Sequence, residues 1–213
     1  MKTPLHITLS TLLILSLSSP SFSQEDPVRP DKLYTMSGFG LSVPVGQSGS
    51  FMKPKFSTSI GVNLGIGNSG LFLYPKLSLH AFGYDNNIPD AKNNYQLQQA
   101  RATTYLLNIA LGYRKIIDKF AFYAFAGAGG GIILTPRIEV NQAANTALLN
   151  EKTNQIGIIE PGAGMEYNLG AISVFAEGSY MHGLGDVGNR PFNAIPLTFG
   201  IKPNLSRLFT RKK

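Results

Sequence analysis

Apolar and polar residues alternate with a period of two along most of the chain. In Leu71–Gly83 the odd positions Leu71, Leu73, Leu77, Leu79 and Ala81 are apolar, while Tyr74, Lys76, Ser78 and His80 fall on even positions. Phe56–Ile66 sets Phe56, Ile60, Val62, Leu64 and Ile66 against Ser57, Ser59, Gly61 and Asn63. Tyr105, Leu107, Ile109, Leu111 and Tyr113 oppose Thr104, Asn108, Gly112 and Arg114. Farther on, Ile159, Ala163, Met165 and Tyr167 oppose Glu160, Gly162, Gly164 and Glu166, and Ile172, Val174, Ala176 and Tyr180 oppose Ser173, Glu177 and Ser179. Ile195, Leu197, Phe199 and Ile201 face away from Thr198, Gly200 and Lys202. Such alternation marks strands with one apolar side. With Tyr34–Val45 and residues 120–134 it predicts eight strands of about ten residues or more, the length of a tilted membrane strand.

Residues 120–134, FAFYAFAGAGGGIIL, carry no charge. A membrane helix is excluded there, because the run is short and each of Gly127, Gly129, Gly130 and Gly131 costs a helix about 1 kcal/mol relative to Ala. Taken as an even turn, Asp118-Lys119 turns Phe122, Ala124, Ala126 and Ala128 to the apolar side and Tyr123, Phe125, Gly127 and Gly129 to the other. A one-residue slip at Ile116-Ile117 reverses the two faces. In the first register, glycines on the inner face leave room for bulky neighbours.

The connections alternate in length. GNSG (67–70), IIDK (116–119) and NLGA (168–171) are short, whereas 46–54, 85–99, 136–153 and 184–193 are long and polar. Short turns on one rim and long loops on the other belong to outer-membrane barrels, and an even strand number leaves both termini on the short-turn rim. Even turns pair Ile66 with Leu71 and Tyr167 with Ile172, joining apolar faces.

A soluble lipocalin-like carrier also alternates, but with its apolar side inward. Here the polar sides hold mainly Gly, Ser, Thr and Asn, too small and neutral for a face in water. The apolar sides end in aromatics, with Tyr105, Tyr113, Tyr167 and Tyr180 forming the expected girdle. Closure also pairs every backbone polar group, which hydrocarbon requires.

The N-terminus adds an address. Lys2, the apolar stretch Ile7–Leu17 and the small Ser21 and Ser23 before Gln24 have the build of a cleaved secretory signal. The expected organisation is a signal peptide at 1–23, a linker at 24–32, a barrel at 33–204 and a basic tail at 205–213. Charged residues make up only 15%, and no cysteine is present, which removes disulfides, thiolate metal sites and cysteine nucleophiles. The net charge of +7 is scattered apart from the terminal RLFTRKK, so no nucleic-acid surface is expected. No metal or other cofactor is expected either, and GAGGG lacks the Lys-Ser/Thr of a phosphate loop.

With its signal ending SFSQ, Gly-rich alternating strands and loop asymmetry, the chain resembles the small eight-stranded outer-membrane β-barrel family of the OmpX and OmpA-transmembrane-domain kind, including PorT-like barrels. The resemblance covers about Leu33 to Asn204. It implies an all-β, antiparallel up-and-down transmembrane barrel in the outer membrane of a Gram-negative bacterium. Members commonly finish on a C-terminal aromatic, and this chain departs by continuing past Phe199 through SRLFTRKK, with Phe209 as the nearest equivalent.

An eight-stranded interior is just wide enough to be filled by side chains. Lys55, Lys76, His80, Arg114, Glu160, Glu166, Glu177 and Lys202 map to the polar side, and charges in so narrow a space must pair. The expected interior is therefore a plugged ionic network. Lys53, Arg101, Arg137, Lys152 and Arg190 near the long-loop rim are candidates for contact with lipopolysaccharide phosphates. The tail suits anionic headgroups or cell wall. A non-enzymatic structural or surface-interaction protein is expected, partnered by outer-membrane lipids and by a protein at the surface or in the periplasm. The alternatives are the soluble carrier of an apolar ligand and a lipid A-modifying barrel hydrolase. The hydrolase would use His182, on the apolar side near the long-loop rim, with Ser179 and Asp186 close in sequence.

Overall fold

The computed structural model describes residues 32–86, 97–141, 146–187 and 190–206. The expected signal peptide, nearly all of the linker, residues 207–213 of the tail and the centres of the loops at 85–99 and 136–153 lie outside the described residues. Among these described residues nine strands follow in chain order: β1 (Leu33–Pro44), β2 (Met52–Ile66), β3 (Leu71–Asn86), β4 (Leu97–Ile117), β5 (Phe120–Asn141), β6 (Thr146–Asn168), β7 (Ile172–Ser179), β8 (Met181–Asp186) and β9 (Pro191–Pro203). Each pairs antiparallel with its neighbours, and β1 also pairs with β9, so the sheet closes.

Nine segments make eight staves. β7 and β8 both lie between β6 and β9, and the register runs on across Tyr180 as far as His182, beyond which β8 shifts against β9; the Tyr180 backbone N–H donates to the Pro161 carbonyl at 2.9 Å. The eight-stranded expectation therefore holds, with one stave interrupted for a residue.

The turns set the registers. Ile66 pairs with Leu71 across 67–70, where Gly67 and Gly70 have φ of 63° and 83°, a region glycine enters without steric cost. Ile117 pairs with Phe120, so the expected four-residue turn is only Asp118-Lys119, with Asp118 at φ 54°. This even turn fixes the faces of β5: Phe122 is exposed, while Tyr123 and Phe125 are buried. At the third short turn Tyr167 pairs with Val174 rather than Ile172. The register differs by two residues, an even number, so the faces are unchanged.

Outside, the barrel is apolar. Phe39, Leu41, Ile60, Leu77, Leu107, Ile109, Leu111, Phe122, Leu197 and Phe199 are all exposed, the reverse of a soluble carrier. Tyr105, Tyr113 and Tyr180 are exposed among them, and Tyr167 is half-buried with its ring 4.9 Å from that of Phe120.

Inside, large and small residues alternate around the circumference. Phe72, Gly112, Phe125, Gly162 and Ser179 form one cross-strand row through β3 to β7. A side chain on Gly112 would strike the Phe72 ring, and one on Gly162 would strike the Phe125 ring. The glycines thus let aromatics lie across the bore, which is how a small barrel fills its taper.

The long-loop half of the interior is apolar, which the alternation pattern does not show. Phe82, Leu106, Ile133, Ile158, Met181, Phe192 and Ala194 are fully or almost fully buried there, joined by Phe51, Met52 and Val187. Residues 46–50 form a short 3-10 turn rather than an extended polar loop. Ser48 Oγ donates to the Pro191 carbonyl at 3.0 Å and accepts the Asn193 N–H at 2.8 Å, which draws Phe51 over the mouth. The expected loop at 136–153 is mostly strand: β5 and β6 stay paired from Pro136↔Glu151 to Asn141↔Thr146, carrying exposed Leu148 and Leu149.

Candidate functional site

The ionic centre is built by alternation from five strands. Lys76 on β3, Arg114 on β4, Glu160 and Glu166 on β6, Glu177 on β7 and Lys202 on β9 all occupy inward positions. They form two groups. In the first, Lys76 Nζ lies 2.6 Å from Glu160 Oε1 and 3.4 Å from Glu177 Oε1. Glu160 also accepts from Asn108 Nδ2 at 2.7 Å and from Ser179 Oγ at 2.6 Å. Glu177 accepts from the hydroxyls of Tyr123 at 3.0 Å and Tyr74 at 3.3 Å. In the second, Glu166 meets Lys202 Nζ at 2.9 Å and Arg114 Nε at 3.2 Å, and Arg114 Nη2 donates to Asn63 Oδ1 at 2.6 Å.

Tyr123 bridges the groups. Its hydroxyl serves Glu177, while its ring lies 4.5 Å from Lys202 Nζ. Aromatic faces take up the other cations too, with Lys76 Nζ 5.1 Å from the Phe125 ring and the Arg114 guanidinium 4.9 Å from the Tyr34 ring. Desolvating an ion costs several kcal/mol, an expense offset only when the partner and the remaining lone pairs are all met. Three cations face three carboxylates here, so the centre is electrically balanced.

Of the eight residues assigned inward, Lys55 is a correction. Pro54 pairs with Phe82 but Ser57 with His80, so β2 carries one extra residue in a bulge. The extra residue breaks the alternation, and Lys55 is exposed and outside the ionic groups. His80 is buried but also stands apart from the ion pairs, stacked 6.3 Å from Phe82 between the ionic and apolar layers. The alternation sets Asn63, Tyr74, Asn108, Tyr123 and Ser179 on the inward side but does not assign them to the network, and Ser179 enters only as a hydrolase candidate. Their polar atoms on inward positions were the available signal.

The five rim cations do not form one group. Lys53 pairs with Asp85 at 2.6 Å, and Arg190 donates to Ser50 Oγ at 3.2 Å with its guanidinium 5.0 Å from the Phe51 ring. Arg101 is exposed on β4, whereas Arg137 and Lys152 are exposed on the projecting β5–β6 hairpin. The hydrolase candidates are separated by the barrel wall: Ser179 faces Glu160 inside, while His182 is outside with Nδ1 2.8 Å from Asn193 Oδ1. Among the described residues no three His, Asp or Glu side chains are grouped to hold a metal ion.

No protein-family model matches the chain, and no curated protein matches its sequence. Among solved structures it is similar to Neisserial surface protein A, with a TM-score of 0.56 and 11% identity over 81% of this chain and 96% of that one. It also aligns with the attachment invasion locus protein Ail of Yersinia pestis, solved with the heparin analogue sucrose octasulfate (TM-score 0.41, 10% identity, 80% of this chain and 99% of that one). The N-terminal β-barrel domain of Pseudomonas aeruginosa OprF aligns at TM-score 0.41 and 14% identity, over 81% of this chain and 98% of that one. The first likeness establishes the fold: the chain folds as a small outer-membrane β-barrel.

Proposed function

We propose that this protein is a non-enzymatic barrel of a Gram-negative outer membrane, exported by its N-terminal segment, with a plugged bore and a structural or surface-interaction role. One observation carries the reading. Glu160 on β6 is buried inside the cylinder with three donors around it, while Leu77 on β3 and Ile109 on β4 are exposed on its outside. Only a surrounding of hydrocarbon makes that inversion favourable, because apolar surface outside and satisfied ions inside reverse the economy of a protein in water.

Two successive layers support the plug. The ionic groups span the short-turn half, and the apolar cluster of Phe82, Ile133, Ile158 and Phe192 spans the other. An apolar constriction excludes ions by dewetting even where a charged layer rearranges. The projecting β5–β6 hairpin stands on the rim opposite the short turns at 67–70 and 118–119, where a rigid scaffold presents binding surfaces.

The reading is tested by fractionation of cells making the full chain, with gel migration before and after boiling and conductance in planar bilayers. It expects outer-membrane recovery, a heat-dependent shift in migration and no channel steps. Recovery in the soluble periplasm, or steady channels from the unmodified chain, contradicts it.

A further inference from the structure

On the long-loop half of the outer wall, three cations flank one glycine. Lys53 on β2, Gly83 on β3 and Arg101 on β4 are cross-strand partners in a single row. Gly83 lies between the inward Phe82 and Tyr84, so its missing side chain would point outward, yet the residue is buried. The lysine stems cover it: a Cβ on Gly83 would sit 3.3 Å from Lys53 Cβ and 3.6 Å from Lys55 Cε. The bulge between Pro54 and Ser57 is what brings Lys55 to this spot instead of into the bore. Asp85 pairs with Lys53, and among the described residues neither Lys55 nor Arg101 has an ion-pair partner.

An apolar groove begins below this cluster on the same staves. Leu79 and Tyr105 are cross-strand partners four residues nearer the barrel's middle, roughly 13 Å along the strand. From there a groove of about 430 Å³ runs past Thr58, Ile60, Leu77, Leu107 and Gly130. A second of about 440 Å³ continues it, sharing Ile60, Leu77 and Leu107 and reaching Thr35 and Pro75. Small outward residues between large ones form both channels.

A cationic cluster at the rim with a long apolar channel beneath it matches an amphiphile carrying phosphate at its head and acyl chains behind. We infer that Lys53, Lys55 and Arg101, with the groove along Leu79, Tyr105, Ile60 and Leu107, form a binding site for a phosphorylated, acylated outer-leaflet glycolipid. The inference rests on the outer-membrane reading above and names the lipid and the wall. Phosphate oxygens take charge-assisted hydrogen bonds from Lys and Arg, and an acyl chain in the groove covers wall that the small residues leave bare. The cations on the projecting hairpin, Arg137 and Lys152, and Arg190 above Phe51 lie outside the site.

The test is native mass spectrometry of the full chain in nanodiscs offered bisphosphorylated lipid A, dephosphorylated lipid A or phosphatidylglycerol. Lysine and arginine are changed to glutamine together at Lys53, Lys55 and Arg101, and in a control at Arg137, Lys152 and Arg190. Thr58→Leu narrows the groove without changing charge. Bisphosphorylated lipid A is expected to bind the unmodified chain and the control. The triple variant at the site should bind it about a hundredfold more weakly, the loss of three cations at an anionic lipid surface. Thr58→Leu should weaken it severalfold.

Equal binding by both triple variants, preference for phosphatidylglycerol, or indifference to the phosphates overturns the site. Outer-membrane recovery and heat-dependent migration are read on the same preparations. A chain that passes both but shows no preference refutes the lipid site alone, and one recovered soluble refutes the barrel reading as well.

Discussion

Phe72 and Gly112 face each other across β3 and β4, and the Phe72 ring fills the place that a side chain on Gly112 would need. The pairing repeats one stave further on, where Phe125 sits between Gly112 and Gly162. Large-to-small complementarity around the bore therefore fixes which staves are neighbours, independently of the ion pairs.

Gly112→Leu is expected to destabilise the barrel by about 1–3 kcal/mol through overpacking, and Phe72→Ala in the same chain should restore part of it. The loss of the heat-dependent gel shift across a urea series measures both. A Gly112→Leu chain as resistant to urea as the parent contradicts the packing account.

Lys76 holds Glu160 and Glu177 together. Lys76→Met leaves two buried carboxylates without their cation and is expected to cost about 3–5 kcal/mol. Adding Glu160→Gln and Glu177→Gln should recover most of that, because neutral amides need no counter-charge. The same urea series decides it, and a Lys76→Met chain of unchanged stability removes the ionic layer from the account.

The two layers also predict how the bore responds to damage. Replacing Lys76, Glu160 and Glu177 by alanine leaves Phe82, Ile133, Ile158 and Phe192 across the opposite half, so planar bilayers should still show no conductance. Adding Phe82→Ala and Phe192→Ala should produce channel steps. Conductance after the charge substitutions alone would mean that the apolar layer does not close.

Much of this is legible in the sequence because an even turn preserves alternation. Once Asp118-Lys119 is two residues long, the faces of Phe122 and Tyr123 follow without further information. Lys55 fails for the complementary reason: a bulge adds one residue to one strand, and nothing in the composition of Pro54–Ser57 declares it. The apolar layer is hidden differently. Around Ala81-Phe82, Ile132-Ile133-Leu134 and Ile158-Ile159 both faces are apolar, so alternation cannot say which side chain turns in. Residues 136–153 read as a loop because charged and amide residues interrupt the alternation there, yet 136–141 and 146–151 stay paired, since backbone pairing between two strands does not require an apolar face.

On the outer wall, Ile109→Lys is expected to cost about 2–4 kcal/mol, the penalty for a cation near the middle of the bilayer. Lys152→Glu on the projecting hairpin should leave the urea midpoint where it was. Equal effects of the two would place Ile109 outside hydrocarbon.

The absence of cysteine lets a single spin label be placed at will, and scanning it from residue 104 to 112 of β4 tests the inversion most directly. In lipid vesicles, collision with dissolved oxygen should alternate with a period of two, high at Tyr105, Leu107, Ile109 and Leu111 and low at Leu106, Asn108 and Ala110. The opposite phase, or labels at Leu107 and Ile109 that meet a water-soluble nickel complex more often than oxygen, would contradict the barrel described here.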